Sequence, residues 1–259
     1  MYTRYNTQKA VTGLRLNSRH PLNRSLVGLW PFNEGSGNKL FDLSGNQLPG
    51  TIYNATWTQG PNGPCLNFNG SSAYIDTNCY RSFSSGPLTF IIWFRTANST
   101  YQVLFNKAST YQNIIDISTE SDNLANSVYD ASDWQGYSDS SRDWTDGTWH
   151  MAASVINSTN ITLYGDGKYL GTDTHDNSFP TNSNPWIIGR RGFSSYYYFD
   201  GDIDHAMLLS RDSSASEIAQ LYREPFCMFE REPIELWTAA MGGEAPPAGI
   251  PIFRRRRAG

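Results

Sequence analysis

Cysteine is scarce in this chain: Cys65, Cys79 and Cys227 are its three, they cannot all pair with one another, and none sits in a CxxC pattern. This excludes a closed disulfide framework and a four-thiolate zinc site, and leaves reduced, structural thiols as the expectation. The four histidines, His20, His150, His175 and His205, show no metal-ligand spacing. Gly-x-Ser-x-Gly elbows and phosphate-binding loops are absent, which removes two common signatures of enzymes. No window approaches the roughly 18–20 consecutive apolar residues of a membrane span, so no membrane partner is expected. Residues 1–24 are polar and basic with no apolar stretch of signal-peptide type, so no export signal is expected there. Charge is also sparse, at 17% of residues.

Aromatic residues, by contrast, make up 14% of the sequence, a profile that suits a β-sandwich with aromatic loops. At 259 residues the chain is long enough for one β-domain with a full core. Asp146-Gly147-Thr148-Trp149 leads into a β-forming run, and Asn160–Tyr164 and Lys168–Thr172 flank Gly165-Asp166-Gly167. Asp-Gly supplies the positive φ angles of a tight hairpin, so these segments predict an antiparallel pair. Pro87–Arg95 is a nearly continuous β-former run that predicts a central strand with both faces covered, and Trp186–Gly189 and Ala206–Leu209 predict further strands. One short helix is expected, because Ser214-Ala215-Ser216-Glu217 forms a capping box and Ile218, Leu221 and Tyr222 follow at helical spacing before Pro225.

The ends differ from the middle. Residues 1–24 carry +5 with no acid, residues 254–257 are four arginines, and residues 25–253 carry the −13 that brings the whole chain to −4. Basic ends and an acidic body attract one another within or between subunits. The arginine run also suits nucleic acid, but no basic face interleaves with it, so nucleic acid is not the expected partner. Residues 225–259 are rich in proline and glycine and contain Phe226, Met228, Phe229, Trp237 and Phe253. The expected layout is an N-terminal arm (1–24), a β-domain (25–224) and a tail (225–259). The arms are expected to dock on a neighbouring subunit in a homo-oligomer or on other particle proteins, or else to wrap back over the domain.

Five fragments in order give a resemblance. They are Leu26-Val27-Gly28-Leu29-Trp30-Pro31-Phe32-Asn33-Glu34-Gly35-Ser36-Gly37, Phe41-Asp42-Leu43-Ser44-Gly45-Asn46, Leu66-Asn67-Phe68-Asn69-Gly70, Phe199-Asp200-Gly201-Asp202-Ile203-Asp204, and Arg211 to Tyr222. Over residues 25–224 the chain resembles the laminin G-like, concanavalin A-like family. The resemblance implies an all-β antiparallel jelly-roll sandwich with one short C-terminal helix and extended terminal arms. Trp30, Phe32, Phe68, Trp93, Phe94 and Trp149 are expected to include most of its large core anchors. The chain is most similar to free-standing members from phage and viral-metagenome genomes. That implies a non-enzymatic structural or adhesive role on a virion, as head decoration or tail component, assembled in the host cytoplasm. A secreted or cell-surface carbohydrate-binding module is the alternative.

The resemblance also implies a structural calcium site, which carries over onto Asp42, Asn46 and Asp204 with Glu34 as a helper. Hydrogen bonding in turns is the competing role for the same residues, and His205 stands where relatives have a second acid. Asp200-Gly201-Asp202-Ile203-Asp204 fails as an EF-hand, since glycine and glutamate are missing at the positions that need them. Glycosidases occur within the broad fold, but no Glu-x-Asp-x-x-Glu cluster is present; Glu120-Ser121-Asp122 comes nearest and lacks the third acid. No catalysis is therefore expected. The candidate ligand surface is two aromatic clusters: Tyr129, Asp130, Asp133, Trp134, Tyr137 and Trp144 in one, and Arg190, Arg191, Tyr196 and Tyr197 in the other. Sugar rings stack on aromatic faces while carboxylates and guanidinium groups bond their hydroxyls, so both clusters suit a glycan. Subunit contact and core filling are the alternatives for the same residues.

Overall fold

The computed structural model describes residues 15–83, 86–110, 113–129, 134–175, 182–192 and 196–230. The first strands are β1 (Leu26–Trp30), β2 (Lys39–Leu40), β3 (Gly50–Tyr53), β4 (Thr56–Gly60), β5 (Gly63–Asn69) and β6 (Tyr74–Asp76). The middle of the chain forms β7 (Leu88–Arg95), β8 (Gln102–Thr110), β9 (Asn113–Glu120), β10 (Asn123–Tyr129) and β11 (Trp134–Asp139). Then come β12 (His150–Ile156), β13 (Asn160–Gly165), β14 (Lys168–Thr174), β15 (Ile187–Ile188), β16 (Asp200–Leu209) and the helix α1 (Ala215–Arg223). Every pairing is antiparallel.

Two sheets face each other. One runs β14-β13-β12-β7-β16-β5-β4 with β1 added beside β16, and the other runs β11-β10-β9-β8-β15-β6-β3-β2. Alternate residues of β7 serve two cores, as its continuous apolar run predicts: Phe90, Ile92 and Phe94 enter the main core between the sheets, while Ile91 and Trp93 enter a second core on the far side of the first sheet. Trp30, Phe32, Phe68 and Phe94 are fully buried in the main core as expected. Trp149 is a correction, being only half-buried beside Arg95, whose guanidinium carbon lies 5.3 Å from its ring.

The hairpin between β13 and β14 turns at Asp166 and Gly167 with φ of 48° and 75°. The capping box of α1 is complete, with Glu217 N donating to Ser214 Oγ and Ser214 N donating to Glu217 Oε2. The second core explains the tail. Phe226, Met228 and Phe229 are buried there against Ile218, Leu221 and Trp93, and Asn17 N donates to Met228 O while Glu230 N donates to Arg15 O. In the described stretches 15–24 and 225–230 the arms follow the second of the two expectations: they pair with each other and pack over the domain on their own chain. Trp237, Phe253 and the arginine run lie outside the described residues. Among the described residues no helix is long and apolar enough to cross a membrane.

Candidate functional site

The free face of the second sheet is built by strict alternation. Ile115 and Ile117 of β9 and Leu124 and Val128 of β10 enter the main core, so Asp116, Ser118, Glu120, Ala125, Ser127 and Tyr129 turn outward. The β10–β11 hairpin adds Trp134 opposite Tyr129. Gly136 lets the two strands close, since a Cβ there would meet the Asn126 carbonyl oxygen at 2.1 Å. The Trp134 ring stacks on Tyr129 at 4.8 Å and 20° and is 48% exposed, an aromatic surface held in place by its neighbour.

Across from Trp134 stands the connection from β15 to β16. The Tyr197 carbonyl accepts from Val103 N at 3.1 Å, which pins this connection to β8. Arg191 is nearly buried; its guanidinium carbon lies 4.5 Å from the Tyr197 ring and 5.4 Å from that of Tyr101, and its Nη2 donates to Tyr101 Oη at 2.8 Å. The Tyr101 hydroxyl donates to Asp116 Oδ2 at 3.4 Å, and Ser127 Oγ donates to Asp116 Oδ1 at 2.7 Å. Burial pushes the Asp116 carboxyl above its ordinary range, against the two hydroxyls and Arg191, and burial likewise pushes the Tyr101 phenol up. These groups enclose a cleft of about 440 Å³ lined by Tyr101, Ser118, Glu120, Ala125, Ser127, Trp134, Arg191 and Tyr197. It offers one exposed indole, a positioned cation and a hydroxyl-rich floor.

The two aromatic clusters seen in the sequence therefore meet: Trp134 from the first and Arg191 and Tyr197 from the second line one cleft. Tyr129 braces it from below. Tyr196 is 63% exposed beside Tyr197, and Arg190 turns away to lie 4.0 Å from the Tyr74 ring. Asp130 and Asp133 lie outside the described residues. Tyr137 is half-buried and points inward against the main core. Trp144 is a correction: it is 1% exposed, and its indole Nε1 donates to Asp139 Oδ2 at 2.7 Å. Its ring occupies the space above Gly165, where a Cβ would meet it at 2.1 Å. Tyr101, Ser118, Glu120 and Ser127 were missed as cleft residues from the sequence; the last three alternate with isoleucine, leucine and valine and so mark an outward polar row, whereas Tyr101, just before β8, carries no such signal.

The residues suggested for calcium serve other bonds. Asp42 accepts from Leu29 N, Ser44 N, Ser44 Oγ and Leu48 N at 2.7–3.1 Å, which occupies both its oxygens. Asn46 Nδ2 donates to the carbonyls of Leu26 and Val27, and Glu34 Oε1 accepts from Phe41 N. Asp204 is buried on β16, where a register shift between Ile203 and His205 accompanies a 2.7 Å hydrogen bond between His205 Nδ1 and Asp204 Oδ2. Among the described residues, no three acids, histidines or cysteines are placed to hold a metal ion. Both oxygens of Asp42 are thus taken by N–H and O–H donors, the turn-bonding role that competes with calcium for it.

The fold has solved relatives. The binding domain of Paraclostridial Mosquitocidal Protein 1 superposes with a TM-score of 0.63 at 18% identity, covering 78% of this chain and 52% of that one. Domain 4 of AbnA, an extracellular arabinanase from Geobacillus stearothermophilus, solved in complex with arabinotriose, gives 0.64 at 17% identity, covering 76% of this chain and 98% of that one. The receptor binding domain of a botulinum neurotoxin C/D mosaic serotype gives 0.60 at 12% identity, over 77% of this chain and 51% of that one. The chain thus spans about half the length of the toxin binding domains it matches. At these identities the likeness is one of fold, a lectin-like jelly-roll. No curated protein matches the chain in sequence. The model of the concanavalin A-like lectin/glucanases superfamily matches residues 69–219, more than half of the sequence, and the chain belongs to that superfamily.

Proposed function

We propose that this domain is a non-catalytic glycan-binding module whose ligand occupies the cleft between Trp134 and Arg191. The observation that carries this reading is the braced, 48% exposed Trp134 ring facing a fixed guanidinium across a floor of serine hydroxyls. A sugar presents an apolar C–H face to such an indole and hydroxyls to such a floor. The arabinotriose complex of the arabinanase domain, similar along nearly its whole length, supports a glycan over a protein ligand.

The carboxylates near the cleft support binding without hydrolysis. Asp116 and Glu120 are four residues apart on one strand, about 13 Å by strand rise, whereas the two carboxyl groups of a glycosidase stand roughly 5–9.5 Å apart. Asp116 is moreover buried under two hydroxyls. The family resemblance supports adhesion on a virus particle as the setting, with a secreted carbohydrate-binding module as its alternative; both uses need the same cleft.

The test is binding of the full chain to a panel of immobilised polysaccharides, including arabinan, xylan, galactan and β-glucan, with reducing ends assayed in parallel. Saturable binding that Trp134→Ala weakens about tenfold, with no sugar released, is the expected result. Sustained release of oligosaccharides, or binding indifferent to Trp134, would overturn the reading.

A further inference from the structure

A second aromatic platform lies on the same free face. Tyr53 of β3 and Tyr74 of β6 are cross-strand partners, with rings stacked at 4.5 Å and 10°. Their neighbours Ile52 and Ile75 enter the main core, so alternation turns both tyrosines to the face that carries the cleft. The Arg190 guanidinium carbon lies 4.0 Å from the Tyr74 ring, and Tyr53 is 41% exposed. This is the construction of Trp134 on Tyr129 repeated: an exposed ring immobilised by a stacked partner, which loses little side-chain freedom when a ligand lands on it.

The placement of the two platforms is informative. Arg190 and Arg191 are consecutive, yet one reaches Tyr74 and the other Tyr101 and Tyr197, so one connection supplies a cation to each platform. The sheet order β11-β10-β9-β8-β15-β6-β3 separates the exposed rings of Trp134 and Tyr53 by six strand spacings, about 29 Å. A monosaccharide is too small to touch both. A chain of several sugar residues laid across the strands reaches both, and each linked contact raises the effective concentration for the next.

We infer that the ligand is an oligosaccharide chain crossing the strands of the second sheet, gripped at the Trp134 cleft and again at a second subsite formed by Tyr53, Tyr74 and Arg190. The inference rests on the glycan reading above and adds to it the class of ligand: an extended chain in place of a terminal sugar. The occupant follows from the spacing of two braced rings along one sheet face, each with a guanidinium beside it.

The experiment is calorimetric titration of the full chain with size-fractionated arabinan, xylan, galactan and β-glucan fragments, from disaccharide to octasaccharide. Affinity should climb with length. Tyr53→Ala should weaken octasaccharide binding about tenfold, the worth of one aromatic contact, and leave trisaccharide binding unchanged; Tyr53→Phe should retain the wild-type length dependence. Trp134→Ala should weaken both lengths. Octasaccharide binding by Tyr53→Ala equal to wild type, with Trp134→Ala still impaired, would overturn the second subsite and leave the cleft standing. No binding of any fragment by the wild-type chain would overturn both.

Discussion

Replacing Trp144 with phenylalanine should destabilise the fold by about 2.5–4 kcal/mol, because two contributions are lost together. The indole Nε1 donates to Asp139 Oδ2 at 2.7 Å in a buried setting, and a hydrogen bond to a charged acceptor contributes about 1.5–3 kcal/mol. The smaller ring also leaves unfilled space above Gly165, where the tryptophan now packs, adding about 1 kcal/mol. With a urea slope of about 2–3 kcal/mol/M for a domain of this size, the unfolding midpoint should fall by about 1–2 M at unchanged slope. Far-ultraviolet circular dichroism across a urea series reads this directly. Trp144→Ala should cost still more. A midpoint within error of wild type would refute the placement of Trp144 in the core and return it to the ligand surface.

The other expectations are independent of that one. Trp134→Ala should stay within about 0.5 kcal/mol of wild type in the same urea assay while losing glycan affinity about tenfold; unchanged affinity would move the ligand elsewhere. Phe226→Ala should cost about 3–5 kcal/mol, since the ring is fully buried in the second core, and wild-type stability would mean that the tail is not docked there. Lys107 is buried with its Nζ enclosed by the carbonyls of Tyr80 and Asn184, and burial lowers its amine from 10.5 to about 8. Between those values the folded chain binds fewer protons than the unfolded one, so Lys107 makes stability rise with pH across that window. Lys107→Met should rise less than wild type between pH 8 and 10.5, and parallel curves would contradict the assignment.

Much of the scaffold was legible because its signals are local. The β7 run of β-formers with apolar residues on both faces, the Asp166-Gly167 turn and the Ser214–Glu217 box each need only a few consecutive residues, and each formed as read. The two aromatic clusters were also visible, and Trp134, Arg191 and Tyr197 meet in space as the glycan reading needs. What distinguishes Trp134 from Trp144 is not local. Both sit among aspartates in sequence, but only Trp144 faces a glycine on another strand with room for an indole. The same holds for Phe226 and Phe229, whose partners His205 and Trp93 come from the middle of the first sheet. Asp42 carried two readings, calcium ligand and polar turn residue, and only the fold shows four donors converging on it. The cleft floor was legible in principle: Asp116, Ser118 and Glu120 alternate with Ile115 and Ile117, but a polar row on a strand reads first as a solvated face.

Ligand binding at the cleft can be read residue by residue from the indole N–H resonances of the eight tryptophans. Those of Trp30, Trp57, Trp144 and Trp186 are held by Leu48 O, Gly37 O, Asp139 Oδ2 and Arg81 O, so they report on the frame, while that of Trp134 reports on the exposed ring over Tyr129. In a titration of the nitrogen-labelled protein with the arabinan, xylan, galactan and β-glucan fragments, the Trp134 resonance should move saturably with at least one fragment while those four stay in place. Saturable binding that shifts Trp57 or Trp186 and leaves Trp134 unmoved, or a spectrum that none of the fragments changes, would contradict a glycan site between Trp134 and Arg191.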